Sequence, residues 1–220
     1  MLLLAPLLLA ACVPPATKDY ARLLAAQPRS ILIVPVVNKS LDLDAPDYFL
    51  STLPVPVAER GYYVFPVNLV KRVLEDDGLA DANLVHGADP TRLAGLFGAD
   101  AVLYVSIERW DAKYLVLSTQ VTVEFDYVLK SGTTGEELWR DHRTMVYEPQ
   151  QTQNQDSPLV ALLTAAVDAA VTKAAPNYMP LARRANREAF AWPGPGLPAG
   201  PYLPEHGKDL ESIEAPTKPP

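Results

Sequence analysis

The sequence predicts one α/β domain with a mixed sheet, in which a parallel βαβ part is followed by an antiparallel C-terminal hairpin and the helices pack on the sheet. Two patterns carry this prediction. Between residues 30 and 107, short apolar runs rich in β-branched residues alternate with amphipathic stretches, as in βαβ units. From residue 115 onward, apolar and polar side chains alternate at every second position, which is typical of antiparallel strands with one wet face.

The parallel part is predicted from alternating strand and helix signals. Ser30–Val37 is almost wholly apolar, which is typical of a strand buried on both faces. A helix should begin near Asp44, where acidic residues and a proline suit the first turn. Pro54 and Pro56 should kink or break this helix before it ends near Arg60. The remaining predicted elements are a strand at 62–67, helices at 68–78 and 90–98, and a strand at 101–107.

The hairpin is predicted from two alternating runs and a turn. Leu115–Leu129 has one apolar and one polar side, and Leu138–Glu148 should return beside it as an edge strand. Ser131–Gly135 supplies the turn residues between them. A short helix is expected at Leu181–Phe190.

A further helix should start at Ser157–Pro158, with an N-cap and a proline in its first turn. One side is a continuous apolar stripe. The other side is rich in alanine and has few charges. It is either an indifferent outer surface or a second contact surface, such as a dimer interface, and its positions are Ala161, Ala165, Asp168, Ala169 and Thr172.

The amino terminus carries a lipid-attachment signal. An apolar run ends in Leu-Ala-Ala-Cys at residues 9–12, the lipobox pattern of bacterial lipoproteins, so we expect 1–11 to be a signal peptide and Cys12 to carry diacylglyceryl and palmitate-type chains. No Lys or Arg precedes the run, so we expect the true start to lie upstream. Val13 after the cysteine favours the outer membrane. The alternative is a buried apolar strand with an ordinary core cysteine.

The expected organisation places a lipidated tether at 12–28, the α/β domain at 29–190 and a Pro/Gly-rich tail at 191–220. The tail is too poor in apolar residues to build its own core. It is therefore disordered, or it lies along the domain through Trp192, Tyr202 and Leu203.

Composition and motif spacing argue against several functions. The net charge of −7, without clustered Lys or Arg, argues against nucleic acid as a partner. His86, His142 and His206 have no second ligand at metal-binding spacing, so we expect no metal or other cofactor. Nucleophile elbows and phosphate-binding glycine loops are absent from the sequence, and we expect no enzymatic activity.

Two other functions stay open. Asp42, Asp44 and Asp47 follow the first strand and could bind Mg²⁺ in a phosphohydrolase, but they come several residues after the strand end, and acids favoured by a helix start explain them more simply. A carrier of a small molecule or lipid is the second alternative. Its cleft would be lined by Tyr62, Tyr63, Phe65 and Tyr104.

Four strings resemble a family of bacterial lipoproteins of unknown function whose neisserial member is a vaccine antigen. They are Asp44–Leu53, Ala58–Val67, Leu74–Leu79 and Phe97–Val105, and the resemblance extends over about Ser30–Phe190. It implies a domain similar to the N-terminal domain of the Tol-system propeller protein, a homodimer, and a neighbouring lipoprotein similar to the curli-secretion pore protein. It implies no catalytic residues. We therefore expect a non-enzymatic outer-membrane lipoprotein, an interaction or accessory subunit of an envelope assembly.

Overall fold

The computed structural model describes residues 18–114, 119–147, 179–192, 194 and 196–209. The predicted signal peptide, Cys12 and the alanine-rich positions Ala161, Ala165, Asp168, Ala169 and Thr172 lie outside the described residues. The elements in chain order are α1 (Ala21–Ala26), β1 (Ser30–Ile33), β2 (Val37–Asn38), α2 (Ala45–Thr52), α3 (Pro54–Ala58), β3 (Tyr63–Val64), α4 (Val67–Asp76), α5 (Ala82–Gly87), α6 (Pro90–Phe97), β4 (Ala101–Tyr114), β5 (Thr119–Ser131), β6 (Glu137–Tyr147) and α7 (Met179–Phe190).

The sheet confirms the predicted fold class. Its strand order is β3-β1-β4-β5-β6, with β2 paired to β4 further along the line of β1. Pairs among β1, β2, β3 and β4 are parallel, whereas β4, β5 and β6 form an antiparallel meander. The predicted break between α2 and α3 is also present, with a proline in the first turn of the second helix.

The turn between β5 and β6 forms where it was predicted. Ser131 donates its backbone N–H to Glu136, and Gly135 adopts a positive φ of 73°. Gly132 allows the turn to pack on α6, since a Cβ there would lie 2.6 Å from the Ala99 carbonyl oxygen. Residues specific to this turn thus hold the hairpin against the helical layer.

The sheet buries two clusters of different size. Helices α1, α2, α3 and α7 cover one face, where the larger cluster includes the stacked rings of Phe49 and Phe125, with centroids 4.0 Å apart. Helices α4, α5 and α6 cover the second face over the parallel strands, around Leu32, Val34 and Val102. On the hairpin this second face carries partly exposed polar side chains such as Glu124 and Asp126, which explains the alternation in the sequence.

Several elements differ from the prediction. The run Ser30–Val37 forms two strands, β1 and β2, because Pro35 between them has no N–H to donate to a neighbouring strand. The strand predicted at 62–67 is limited to Tyr63–Val64, and helix α1 was not predicted.

Strand β4 continues past the predicted end at Ile107 to Tyr114, through a bulge between Ile107 and Arg109. The bulge breaks the two-residue period, so the polar run Glu108–Arg109 looked like a strand end while Trp110 still reaches the core. Helix α5 was not predicted; Asp81 caps it by accepting the Asn83 N–H.

The packed region extends beyond residues 29–190 in both directions. Tyr20 and Leu23 are buried before β1, and Leu197 and Ala199 are buried after α7. The tail is tied to the turn after α3 by several hydrogen bonds: Gly200 N–H to Arg60 O (2.7 Å), Tyr62 O–H to Pro198 O (3.1 Å), and the Arg60–Asp209 ion pair (2.9 Å). Of the two interpretations of the tail, the described part up to residue 209 lies along the domain.

A buried chain of polar groups joins the sheet to two helices. The Tyr127 hydroxyl donates to Asn186 Oδ1 at 2.7 Å, and Asn186 Nδ2 donates to Thr52 Oγ1 at 2.7 Å. Thr52 in turn donates to the Phe49 carbonyl. Asn186 has no exposed surface, so these bonds replace its contacts with water and fix β5, α7 and α2 together.

Removing the Tyr127 hydroxyl tests this series of buried hydrogen bonds. We expect Tyr127→Phe to lower the free energy of unfolding by about 1–3 kcal/mol, because Asn186 Oδ1 would stay buried without its donor. Tyr104→Phe is the matched control, since the Tyr104 hydroxyl is buried with no hydrogen-bond partner among the described residues and its loss should change stability by less than about 0.5 kcal/mol. Urea unfolding measures both; equal effects would contradict the assignment.

The packing of the tail against the turn after α3 is tested by substitution of Gly200. A Cβ at this position would lie 2.4 Å from the Gly61 carbonyl oxygen, so we expect Gly200→Ala to destabilise the protein by about 1–3 kcal/mol and lower its Tm by several degrees. Gly95→Ala on α6 is the control, because nothing lies within 4 Å of its Cβ and alanine favours the helix by up to about 1 kcal/mol. A Gly200→Ala protein as stable as the parent would mean that the tail does not pack here.

Candidate functional site

The most unusual surface feature is the segment Ser40–Asp44 between β2 and α2, named here the leucine loop. Leu41 is 100% exposed and Leu43 is 90% exposed. Burying a leucine is worth about 2 kcal/mol, so two fully exposed neighbours in one loop leave a large gain unrealised in the isolated domain. Tyr48, in the first turn of α2, adds a ring that is 53% exposed.

The leucine loop is held in shape by its own polar side chains. Asn38 Oδ1 accepts from the Ser40 backbone N–H at 3.0 Å and from the Ser40 hydroxyl at 2.7 Å. Asn38 Nδ2 donates to the Asp42 carbonyl at 2.7 Å. Because these bonds satisfy the polar groups inside the loop, the leucines between them project outward.

Asp42 closes the loop onto α2. Its Oδ1 accepts the backbone N–H groups of Asp44 at 3.0 Å and of Ala45 at 3.1 Å, which are otherwise unpaired donors at the helix start. Asp44 makes no side-chain capping bond, and Asp47 pairs with Lys71 at 2.8 Å. The arrangement matches the interpretation of these acids as helix-start residues.

A Mg²⁺ site at the same acids finds no support in this geometry. One oxygen of Asp42 already accepts two N–H groups, and Asp47 faces a lysine on α4. Among the described residues no group of three or more His, Cys, Asp or Glu is arranged to hold a metal ion.

The four aromatic residues proposed to line a ligand cleft do not form one site, because Tyr62 lies apart from the others. Tyr62 lies in the larger cluster, whereas Tyr104 lies in the cluster on the opposite face of the sheet. Tyr63 and Phe65 pack edge to face against each other, 5.0 Å between centroids. Tyr62 does line a cavity between α1 and the tail, but its volume is about 80 Å³, less than the roughly 150 Å³ of a cavity that holds benzene.

The three histidines lie in separate places. His86 Nε2 is 3.0 Å from the Pro35 carbonyl oxygen, and burial lowers the pKa of His86, which favours the neutral ring. His142 Nδ1 lies 2.7 Å from Asp126 on the wet face of the hairpin. His206 Nδ1 lies 2.7 Å from the Ala199 carbonyl oxygen in the tail.

Within the part of the chain that the structure describes, every helix is too short or too polar to cross a bilayer.

The sequence pattern had drawn attention to the acids of the leucine loop and not to its leucines. The available signal was the pattern Leu-Asp-Leu-Asp directly after a strand, where apolar side chains alternate with acids in a turn instead of in a strand.

A family model, a curated relative and a crystal structure all indicate similarity to the same family of lipoproteins. A family model described as "Putative lipoprotein GNA1162-like" matches residues 18–201. The Neisseria meningitidis serogroup B protein named "Putative lipoprotein NMB1124/NMB1162" is 33% identical over 149 residues, which is 68% of each chain. The crystal structure of lipoprotein GNA1162 from Neisseria meningitidis is 32% identical, with a TM-score of 0.53 over 66% of this chain and 99% of that one.

A more distant structure is the PelC dodecamer from Paraburkholderia phytofirmans. It is 17% identical, with a TM-score of 0.41 over 64% of this chain and 84% of that one. No property of that dodecamer follows for this chain.

The role of Asp42 can be separated from that of Asp44. We expect Asp42→Ala to lower the free energy of unfolding by about 0.5–2 kcal/mol and to speed hydrogen exchange at the amides of Asp44 and Ala45, which lose their acceptor. Asp44→Ala is the control and should change stability by a few tenths of a kcal/mol, since it removes a charge but no bond. Urea unfolding with amide exchange measures both, and similar results for the two variants would contradict the capping role.

Proposed function

The chain belongs to the GNA1162-like lipoprotein family, and from that premise we propose that it is a lipid-anchored accessory protein that docks on another envelope protein through the leucine loop. The anchor is Cys12, whose sulfur carries the lipid. The domain is then a tethered interaction module and not a catalyst.

One observation carries the docking proposal: a hydrogen-bonded polar frame holds two leucines in water. A mobile loop could fold its leucines back onto the domain, but Asn38 and Asp42 fix this backbone in the outward conformation. A pre-organised loop loses less entropy on binding, and burial of both leucines in a partner contributes on the order of 4 kcal/mol before binding costs.

The chemistry of the loop indicates the kind of partner. Asp42 lies between the two leucines and Asp44 follows them, so the complementary surface is an apolar hollow with basic groups beside it. These acids also disfavour direct insertion of the leucines into a bilayer that carries anionic lipids. A protein surface therefore suits the loop better than lipid does.

The finer parts of the proposal extend what the family name says. Val13 after the cysteine favours the outer membrane as the site of the anchor. A lipoprotein similar to the curli-secretion pore protein is the proposed partner, by resemblance to the family. Homodimerisation is proposed through the alanine-rich positions Ala161, Ala165, Asp168, Ala169 and Thr172.

Site-specific photocrosslinking in living cells tests docking. We expect a benzophenone side chain at Leu43 to give one discrete adduct, identified by mass spectrometry as a second envelope protein, and the adduct should weaken several-fold when Leu41→Ser removes part of the contact. The control position is Leu84 on α5, also apolar and 58% exposed, where we expect no such adduct. Equal adducts at both positions, or an adduct at Leu43 with a second copy of this chain, would contradict the proposal.

A further inference from the structure

We infer that the anchored protein stands on the bilayer in one preferred orientation, with α1 and the β6 edge of its sheet facing anionic lipid headgroups. The inference rests on the proposed anchor at Cys12. Beyond the anchor, it identifies the surface of the domain that faces the membrane.

The described chain enters the domain at Lys18, whose side chain contacts strand β6. Lys18 Nζ lies 2.6 Å from Asp141 Oδ1 and 4.7 Å from the centroid of the Trp139 ring. Asp141 is 7% exposed and Trp139 is 3% exposed, so both partners are fixed in the core. Tyr20, two residues further on, is also buried. Lys18 is therefore a fixed point on the β6 edge.

The distance from this point to the lipid has an upper limit. Six residue steps separate Cys12 from Lys18, and whatever their conformation they span at most about 21 Å. A folded domain of about 200 residues has a radius of gyration of about 16 Å and hence a diameter of about 40 Å. Because the reach is only about half the diameter, Lys18 cannot lie on the side of the domain away from the bilayer.

The charges around the entry point favour the same orientation. An open groove of about 230 Å³ lies beside Lys18, lined by the basic residues Arg22 and Arg140 and the acidic residues Asp19 and Glu137. Lys18 is ion-paired with Asp141 and Arg140 with Glu137, so the charges around this groove nearly balance, whereas the whole chain carries −7. Anionic headgroups therefore repel this side of the domain less than the more acidic remainder of the surface.

The opposite side of the molecule is equally well defined. Strand β3 forms the other edge of the sheet, four strand spacings or about 19 Å from β6. Helix α4 packs with β1 in the cluster on the face opposite α1. Arg72 on α4 is 70% exposed and should point away from the membrane.

The matched positions Arg140 and Arg72 provide the test. Both are exposed arginines, on β6 and α4 respectively, and each forms an ion pair with a residue three or four positions away in the sequence. Since Cys12 is the chain's one cysteine, Arg140→Cys or Arg72→Cys supplies the single free thiol in the lipidated protein for a fluorophore. The labelled proteins are bound to vesicles of phosphatidylethanolamine and phosphatidylglycerol that carry headgroup nitroxides, after mass spectrometry has verified the lipid on Cys12.

We expect quenching at position 140 to be at least about twofold stronger than at position 72, given the size of the domain. A flexible Gly/Ser insert of about 20 residues before Lys18, with a mean span of about 25 Å, should bring the ratio towards one. Equal quenching in a lipid-bearing protein with the native tether would overturn the orientation alone. A bare Cys12 sulfur in protein from native membranes would overturn the anchor and the orientation together.

Discussion

The burial of one amide, Asn186, is the constraint on which the arrangement of this domain depends. The Asn186 side chain is fully enclosed, and its oxygen and nitrogen are both satisfied, by Tyr127 on β5 and by Thr52 on α2. Leaving either group unpaired would cost about 1–3 kcal/mol, which favours the register of α7 and α2 on the sheet that forms both bonds. The stacked ring of Phe49 adds an apolar contact at the same place. The position of α2 is thereby determined from inside the core.

Because α2 is fixed, the leucine loop that leads into it is also fixed. Asp42 joins the loop to the start of α2 because its carboxylate accepts two backbone N–H groups there. Asn38 joins the loop to β2 by donating to the Asp42 carbonyl. Of the three acids that resembled a metal site in the sequence, Asp42 therefore holds the loop in the conformation that exposes both leucines.

The fold class was predictable because its signals are local and periodic. The apolar run Ser30–Val37 and the alternation after residue 115 each indicate one strand type, and Pro54 marks a real helix break. The extension of β4 was not predictable, because the bulge at Ile107 interrupts the period on which strand assignment depends. Nor was the seating of the tail, since Gly200 and Leu197 contact residues more than a hundred positions earlier, and only the folded structure brings those residues together. The leucine loop was not predicted as an interaction surface, because the exposure of a leucine is a property of the folded surface.

The first described residue, Lys18, and the leucine loop lie in different parts of the molecule. Strands β4 and β5 lie between β2, which leads into the leucine loop, and β6, which Lys18 contacts. On the proposed anchoring through the β6 edge, the loop would be available to a neighbour in the same membrane. The central claim, that the leucine loop is buried in a partner, is tested most directly by hydroxyl-radical footprinting of isolated envelopes and of the purified protein. The account predicts that Leu41 and Leu43 are oxidised several-fold less in envelopes while Leu84 is oxidised equally in both. Equal oxidation of Leu41 and Leu43 in the two samples would contradict it.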